Sequence, residues 1–114
     1  MTSEPDSSGG SPASITEVDE RAELDSVIEE NEIVLVEFYA DWCGPCKMME
    51  PILEALSREL DVCVVTVDTE ANPGIAADAD VRGLPTFLVY DSGTEIDRYL
   101  GVTESETLRS ALVR

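Results

Sequence analysis

A chain of 114 residues is long enough for one compact core and too short for two. At 43% hydrophobic it can fill that core, which excludes wholesale disorder. Its 25 acidic residues face 7 basic ones and no histidine, a formal net charge of -18, so there is no basic face for nucleic acid and an anionic membrane surface is disfavoured.

Residues 1–13 are acidic and rich in Ser, Gly and Pro, and are expected to form a flexible tail ahead of a single domain over 14–114. Ser14 to Val18 is expected to be a short edge strand. Asp19 can cap a helix running to about Asn31, with Leu24, Val27 and Ile28 at helical spacing on an otherwise charged segment. Ile33 to Phe38 is nearly continuous apolar sequence with β-branched residues, the pattern of a strand buried on both faces. After Trp42-Cys43-Gly44-Pro45-Cys46 comes a helix-like run from Lys47 to Leu60, whose Met49, Ile52, Leu53, Leu56 and Leu60 make one stripe. Pro51 lies inside that run, where it removes a backbone donor and should kink the helix.

Val62 to Val67 is a second buried strand, and Asn72 to Ala79 a short helix starting near Pro73. Arg82-Gly83-Leu84-Pro85 is a loop before a third apolar strand, Thr86 to Tyr90. Asp91-Ser92-Gly93 forms a turn, Glu95 to Leu100 alternates like a half-exposed strand, and Gly101 ends it. Thr103-Glu104-Ser105-Glu106 fits a capping box before a helix that buries Leu108, Ala111 and Leu112. The order β-α-β-α-β-α-β-β-α implies parallel strands joined by crossover helices, then an antiparallel hairpin. The expected fold is α/β: a mixed central sheet of about five strands flanked by about four helices.

The chemistry concentrates at Cys43 and Cys46. A thiol at a helix N-terminus faces unpaired N–H groups and the positive end of the helix dipole, which favours the thiolate. With Cys46 one turn further in and more buried, the pair has a division of labour. The Cys43 thiolate attacks a substrate disulfide, and Cys46 then attacks Cys43 and releases the reduced substrate. Pro45 stiffens the loop and Gly44 permits close approach. Zinc is the competing use of a Cys-x-x-Cys pair. It needs four ligands, and only Cys63 remains, inside an apolar strand where it behaves as a small hydrophobe. A structural disulfide is also a weak reading, because the loop it closes is very short. No metal is expected.

The chain resembles the thioredoxin family over roughly residues 14–114. The resemblance rests on the run from Val36 through Trp42-Cys43-Gly44-Pro45-Cys46 to Lys47, on Val81-Arg82-Gly83-Leu84-Pro85-Thr86, on Gly93, and on Gly101 before the last helix. It implies the thioredoxin fold and reduction of protein disulfides, with no cofactor beyond the redox-active Cys43–Cys46 pair. The implied partners are a thioredoxin reductase, flavin- or ferredoxin-linked, and disulfide-containing proteins, with the chain acting as a monomer. The same resemblance makes Pro85 the family's cis-proline and leaves the Leu84 backbone to pair with a substrate strand. It puts Trp42, Gly83, Leu84, Gly101 and Val102 on an uncharged docking surface. Glu37 stands where the family usually has a buried aspartate that moves protons for the inner cysteine, and Thr66 where it often has a partner lysine. Among apolar neighbours, Glu37 should be buried with a raised pKa suited to proton transfer. Two other classes stay open: a binding or chaperone subunit with incidental thiols, and a disulfide oxidase or isomerase, whose relatives tend to carry a histidine between the cysteines.

Ten of the 25 acids precede Ile33 and 15 follow, so a tail alone does not make the charge. Self-repulsion at this charge is largely screened in molar salt, where the Debye length is about 3 Å. The composition fits a halophilic microbe with a salty cytoplasm. The absence of a basic start and apolar core before Pro12 argues against a secretory signal, so the expected location is cytoplasmic.

Overall fold

The computed structural model describes residues 14–113; the expected tail, residues 1–13, lies outside them. The elements follow the expected order: β1 (Ile15–Glu17), α1 (Arg21–Glu30), β2 (Ile33–Tyr39), α2 (Gly44–Glu59), β3 (Cys63–Asp68), α3 (Pro73–Asp78), β4 (Thr86–Asp91), β5 (Thr94–Leu100) and α4 (Ser105–Leu112). One five-stranded sheet has the order β1-β3-β2-β4-β5. β1 and β2 run parallel to β3, and β4 runs antiparallel to both β2 and β5. The parallel pairs need helical crossovers, whereas β4 and β5 turn back through Ser92 and Gly93, both at positive φ (52° and 87°), as a tight two-residue hairpin requires.

The two faces of β2 explain the layers. Val34, Val36 and Phe38 pack with Val65, Val67 and Leu88 under Leu24 and Ile28 of α1 and Ile75 of α3. Ile33 and Leu35 point the other way, with Val64, Phe87 and Val89, under Met49, Leu53 and Leu56 of α2 and Leu108 and Leu112 of α4. Because side chains alternate along a strand, Glu37 must follow Ile33 and Leu35 onto the α2 face. The register then sets Glu17, Thr66, Glu37 and Phe87 side by side across four strands.

Several local expectations are corrected. Glu20, not Asp19, precedes α1 as its cap and makes no side-chain capping bond; the Asp19 N–H instead donates to Glu23 Oε1 at 3.3 Å. The Thr103–Glu106 capping box does not form either. Glu104 is the cap residue without a side-chain bond, and the Thr103 hydroxyl donates to the Gly101 carbonyl at 3.0 Å. β5 is not half-buried: only Tyr99 is partly covered, because this is the sheet edge beyond the helices. Cys63 opens β3 and is half-buried rather than deep in the strand. α2 begins three residues before the expected Lys47 and runs on through Pro51.

Candidate active site

The end of β2 delivers the chain to the dithiol. Tyr39 closes the strand, and the Cys43 N–H donates back to the Ala40 carbonyl at 3.1 Å, forming a turn that presents Trp42. Cys43 is then the N-cap of α2. Its Sγ accepts the Cys46 N–H at 3.2 Å, and its carbonyl accepts the Lys47 N–H at 3.3 Å. The first sulfur therefore sits where a helix leaves its backbone donors unpaired, a position that stabilises a thiolate. Gly44 and Pro45 form the exposed first turn, and a Cβ at Gly44 would meet nothing within 4 Å. Cys43 and Cys46 are joined in a disulfide, with Cα atoms 5.3 Å apart.

The expected contrast in burial is not found: both cysteines are 3% exposed in this oxidised form. What separates them is direction. Cys43 caps the helix, whereas Cys46 lines a cleft of about 330 Å³ on the α2 face of the sheet, shared with Glu37, Thr66 and Glu50. Glu37 is 3% exposed, and its Oε2 has no hydrogen-bond partner. Burial, with a further contribution from the negative charge of Glu50, pushes its pKa up to about 8. Thr66, beside it in the register, supplies no cation. Glu50 was not singled out in the sequence. Its signal is spacing, since Cys46 and Glu50 are four residues apart and share one helix face.

The loop before β4 lies at the same end of the sheet, since Phe38 pairs with Thr86 and Thr86 with Leu100. The Leu84–Pro85 bond is cis. The Thr86 hydroxyl donates to the Gly83 carbonyl at 2.6 Å and the Gly101 N–H to the Pro85 carbonyl at 2.7 Å, tying the loop to the end of β5. The Leu84 side chain packs against Ala40, Cys43 and Cys46. Trp42 and Val102 are 67% and 54% exposed, as is Leu100, which the sequence did not single out, at 67%. Trp42 has a charged neighbour: its Nε1 donates to Glu70 Oε2 at 2.5 Å. Gly83 allows a close approach, because a Cβ there would meet Leu100 Cδ1 at 3.0 Å. Among the described residues no group of three or more His, Cys, Asp or Glu is placed to hold a metal ion, and no helix is long and apolar enough to cross a membrane.

The sequence profile of the thioredoxin family matches residues 15–114. A thioredoxin of Porphyra purpurea is 37% identical over 101 residues, covering 87% of this chain and 94% of that protein. Among solved structures, a mutant thioredoxin from Halobacterium salinarum superposes with a TM-score of 0.85 at 36% identity, covering 91% of this chain and 92% of that one. The oxidised thioredoxin of Plasmodium falciparum gives 0.77 at 33% identity, covering 87% and 95%.

Proposed function

The chain belongs to the thioredoxin family and is a thiol-disulfide oxidoreductase that reduces protein disulfides; we propose that Cys43 is its nucleophile and Cys46 its resolving thiol. The observation that carries the assignment is the disulfide at the start of α2, with Cys43 as the capping residue. In the reduced protein the Cys43 thiolate attacks one sulfur of a substrate disulfide, and the other leaves as a thiolate. Cys46 loses its proton, attacks the Cys43 sulfur and releases the second substrate thiol. Two electrons have moved to the substrate, and the Cys43–Cys46 bond has formed again.

Glu37 is the proton carrier for Cys46. When a donor thiolate reopens the disulfide, Cys46 leaves with the electron pair and takes the proton of Glu37. When Cys46 later attacks, it returns that proton. Burial keeps the Glu37 carboxyl able to hold a proton near neutral pH, which this exchange requires. Substrates dock on Trp42, Gly83, Leu84, Gly101 and Val102, pairing with the Leu84 backbone beside Pro85. Gly44 and Pro45, exposed on the first turn of α2, flank Cys43.

Electrons come from a thioredoxin reductase. We assign the domain to residues 14–114, the working state to a monomer, and the setting to a salt-rich cytoplasm, on the strength of the -18 net charge. Insulin reduction tests the central assignment. The wild type turns over, Cys43→Ser loses all activity, and Cys46→Ser accumulates a mixed disulfide through Cys43. An inactive, folded wild type would overturn it in favour of a binding subunit.

A further inference from the structure

We propose that Arg98 is a positioning residue for the docking loop: its guanidinium, held by Glu95, ties the end of α3 to β5 and so sets where Gly83 and Leu84 meet a substrate strand. The inference rests on the docking role given to Leu84 above. Register brings the parts together. Arg98 on β5 pairs with Leu88 on β4, and Leu88 faces the layer that holds Ile75 of α3. Paired residues project to one face of a sheet, so Arg98 points toward the α3 side and Leu100, two residues on, follows it. There the guanidinium makes four bonds. Nε and Nη2 donate to the two carboxylate oxygens of Glu95 at 2.9 and 3.1 Å. Nη2 also donates to the Ala79 carbonyl at 2.9 Å, and Nη1 to the Asp80 carbonyl at 3.1 Å.

Those two carbonyls lie where α3 ends and the loop to Pro85 begins. Ala79 is the C-cap of α3, a place where a helix leaves carbonyls without partners. Asp80 follows at φ 59°, a left-handed turn that an L side chain rarely adopts and that surrounding contacts must hold. The far end of the loop is fixed separately, by the Gly101 N–H on the Pro85 carbonyl and the Thr86 hydroxyl on the Gly83 carbonyl. Leu100 lies against Gly83. A groove of about 220 Å³ runs between β5 and the loop, lined by Asp80, Arg82, Thr86, Arg98 and Leu100. The loop is thus bound to β5 at both ends, with a glycine between the two ties. Only a planar fork of donors can grip a carboxylate and two carbonyls at once, which is why arginine suits the position. An exposed ion pair adds little to global stability. Its value here is in docking: a loop already held in place loses less freedom when a substrate strand pairs with it.

The test compares two disulfides in single-turnover reduction by the reduced full chain. Insulin offers a strand to pair with Leu84; hydroxyethyl disulfide offers none. Arg98→Ala should lower the second-order rate constant for insulin roughly five-fold and leave that for hydroxyethyl disulfide unchanged. Arg98→Lys should recover only part of the loss, because one ammonium cannot span the same partners. Arg21→Ala is the control: it breaks the ion pair with Asp78 of the same short helix and should leave both rates as in the wild type. NMR order parameters of the Gly83 and Leu84 amides should fall in Arg98→Ala and hold in Arg21→Ala. An equal loss toward both disulfides, an equal loss of insulin reduction in Arg21→Ala, or order parameters unmoved by Arg98→Ala overturns the inference. If the order parameters fall and the insulin rate holds, the tie between Arg98 and the loop stands and the docking role of Leu84 fails.

Discussion

A carboxyl with no partner for Oε2, buried in a sheet, is a liability for folding and an asset for chemistry. Glu37 has a pKa of about 8 in the fold against 4.5 as a free side chain, so between those values the folded chain holds a proton that the unfolded chain has released. Stability therefore falls as pH rises through that window, and the loss is complete only above pH 8. Glu37→Gln removes the titration and should flatten this part of the profile. The variant should exceed the wild type by on the order of a few kcal/mol at pH 9 and differ little at pH 4, as measured by urea denaturation across pH. The same substitution should slow the resolving step at neutral pH, because it removes the acceptor proposed for the Cys46 proton. Unchanged single-turnover kinetics would take Glu37 out of the mechanism. Its burial was legible in the sequence from the apolar run around it. That Glu50 shares its cleft was not, because the meeting of β2 and α2 across the sheet is a tertiary fact.

Among the elements, α2 carries most of the site and its apolar stripe was legible: Met49, Leu53 and Leu56 are buried as the spacing required. Its true start was not, because Gly44 and Pro45 have low helix propensity and only the Cys43 cap reveals the first turn. Truncating Leu53, which is 1% exposed, to Ala should destabilise the protein by about 2–5 kcal/mol in chemical denaturation. The junction from β5 to α4 shows why a local motif fails. Thr103 satisfies the Gly101 carbonyl instead of capping the helix, since the chain must reverse at Gly101, where φ is 91°. A side chain at that φ is strained, so Gly101→Ala should cost about 1–2 kcal/mol of stability. Gly44→Ala, with open space around it and helical backbone, should be stabilising or neutral by the same measurement.

For the whole molecule, the -18 charge and the apolar core oppose each other. Two arginines make ion pairs between separate elements, Arg21 with Asp78 and Arg109 with Glu59, and Arg98 reaches from β5 to donate to the carbonyls of Ala79 and Asp80, while Arg82 pairs locally with Asp80 and Arg98 with Glu95. Repulsion among the remaining acids should make stability depend on salt. The thermal midpoint is expected to rise by on the order of 10 °C from low salt to molar KCl, followed by circular dichroism, and a flat response would remove the halophilic reading.

The sequence by itself determined the order of the elements, the sides of the apolar stripes and which two cysteines form the disulfide. Each of these depends on residue type and periodicity within a short window. It could not determine that both cysteines are equally covered in the oxidised form, that β5 is left exposed at the sheet edge, or that Glu17, Thr66 and Glu37 stand in one row across three strands. Those follow from strand order and register, which bring residues distant in the chain together, and only the tertiary structure sets them.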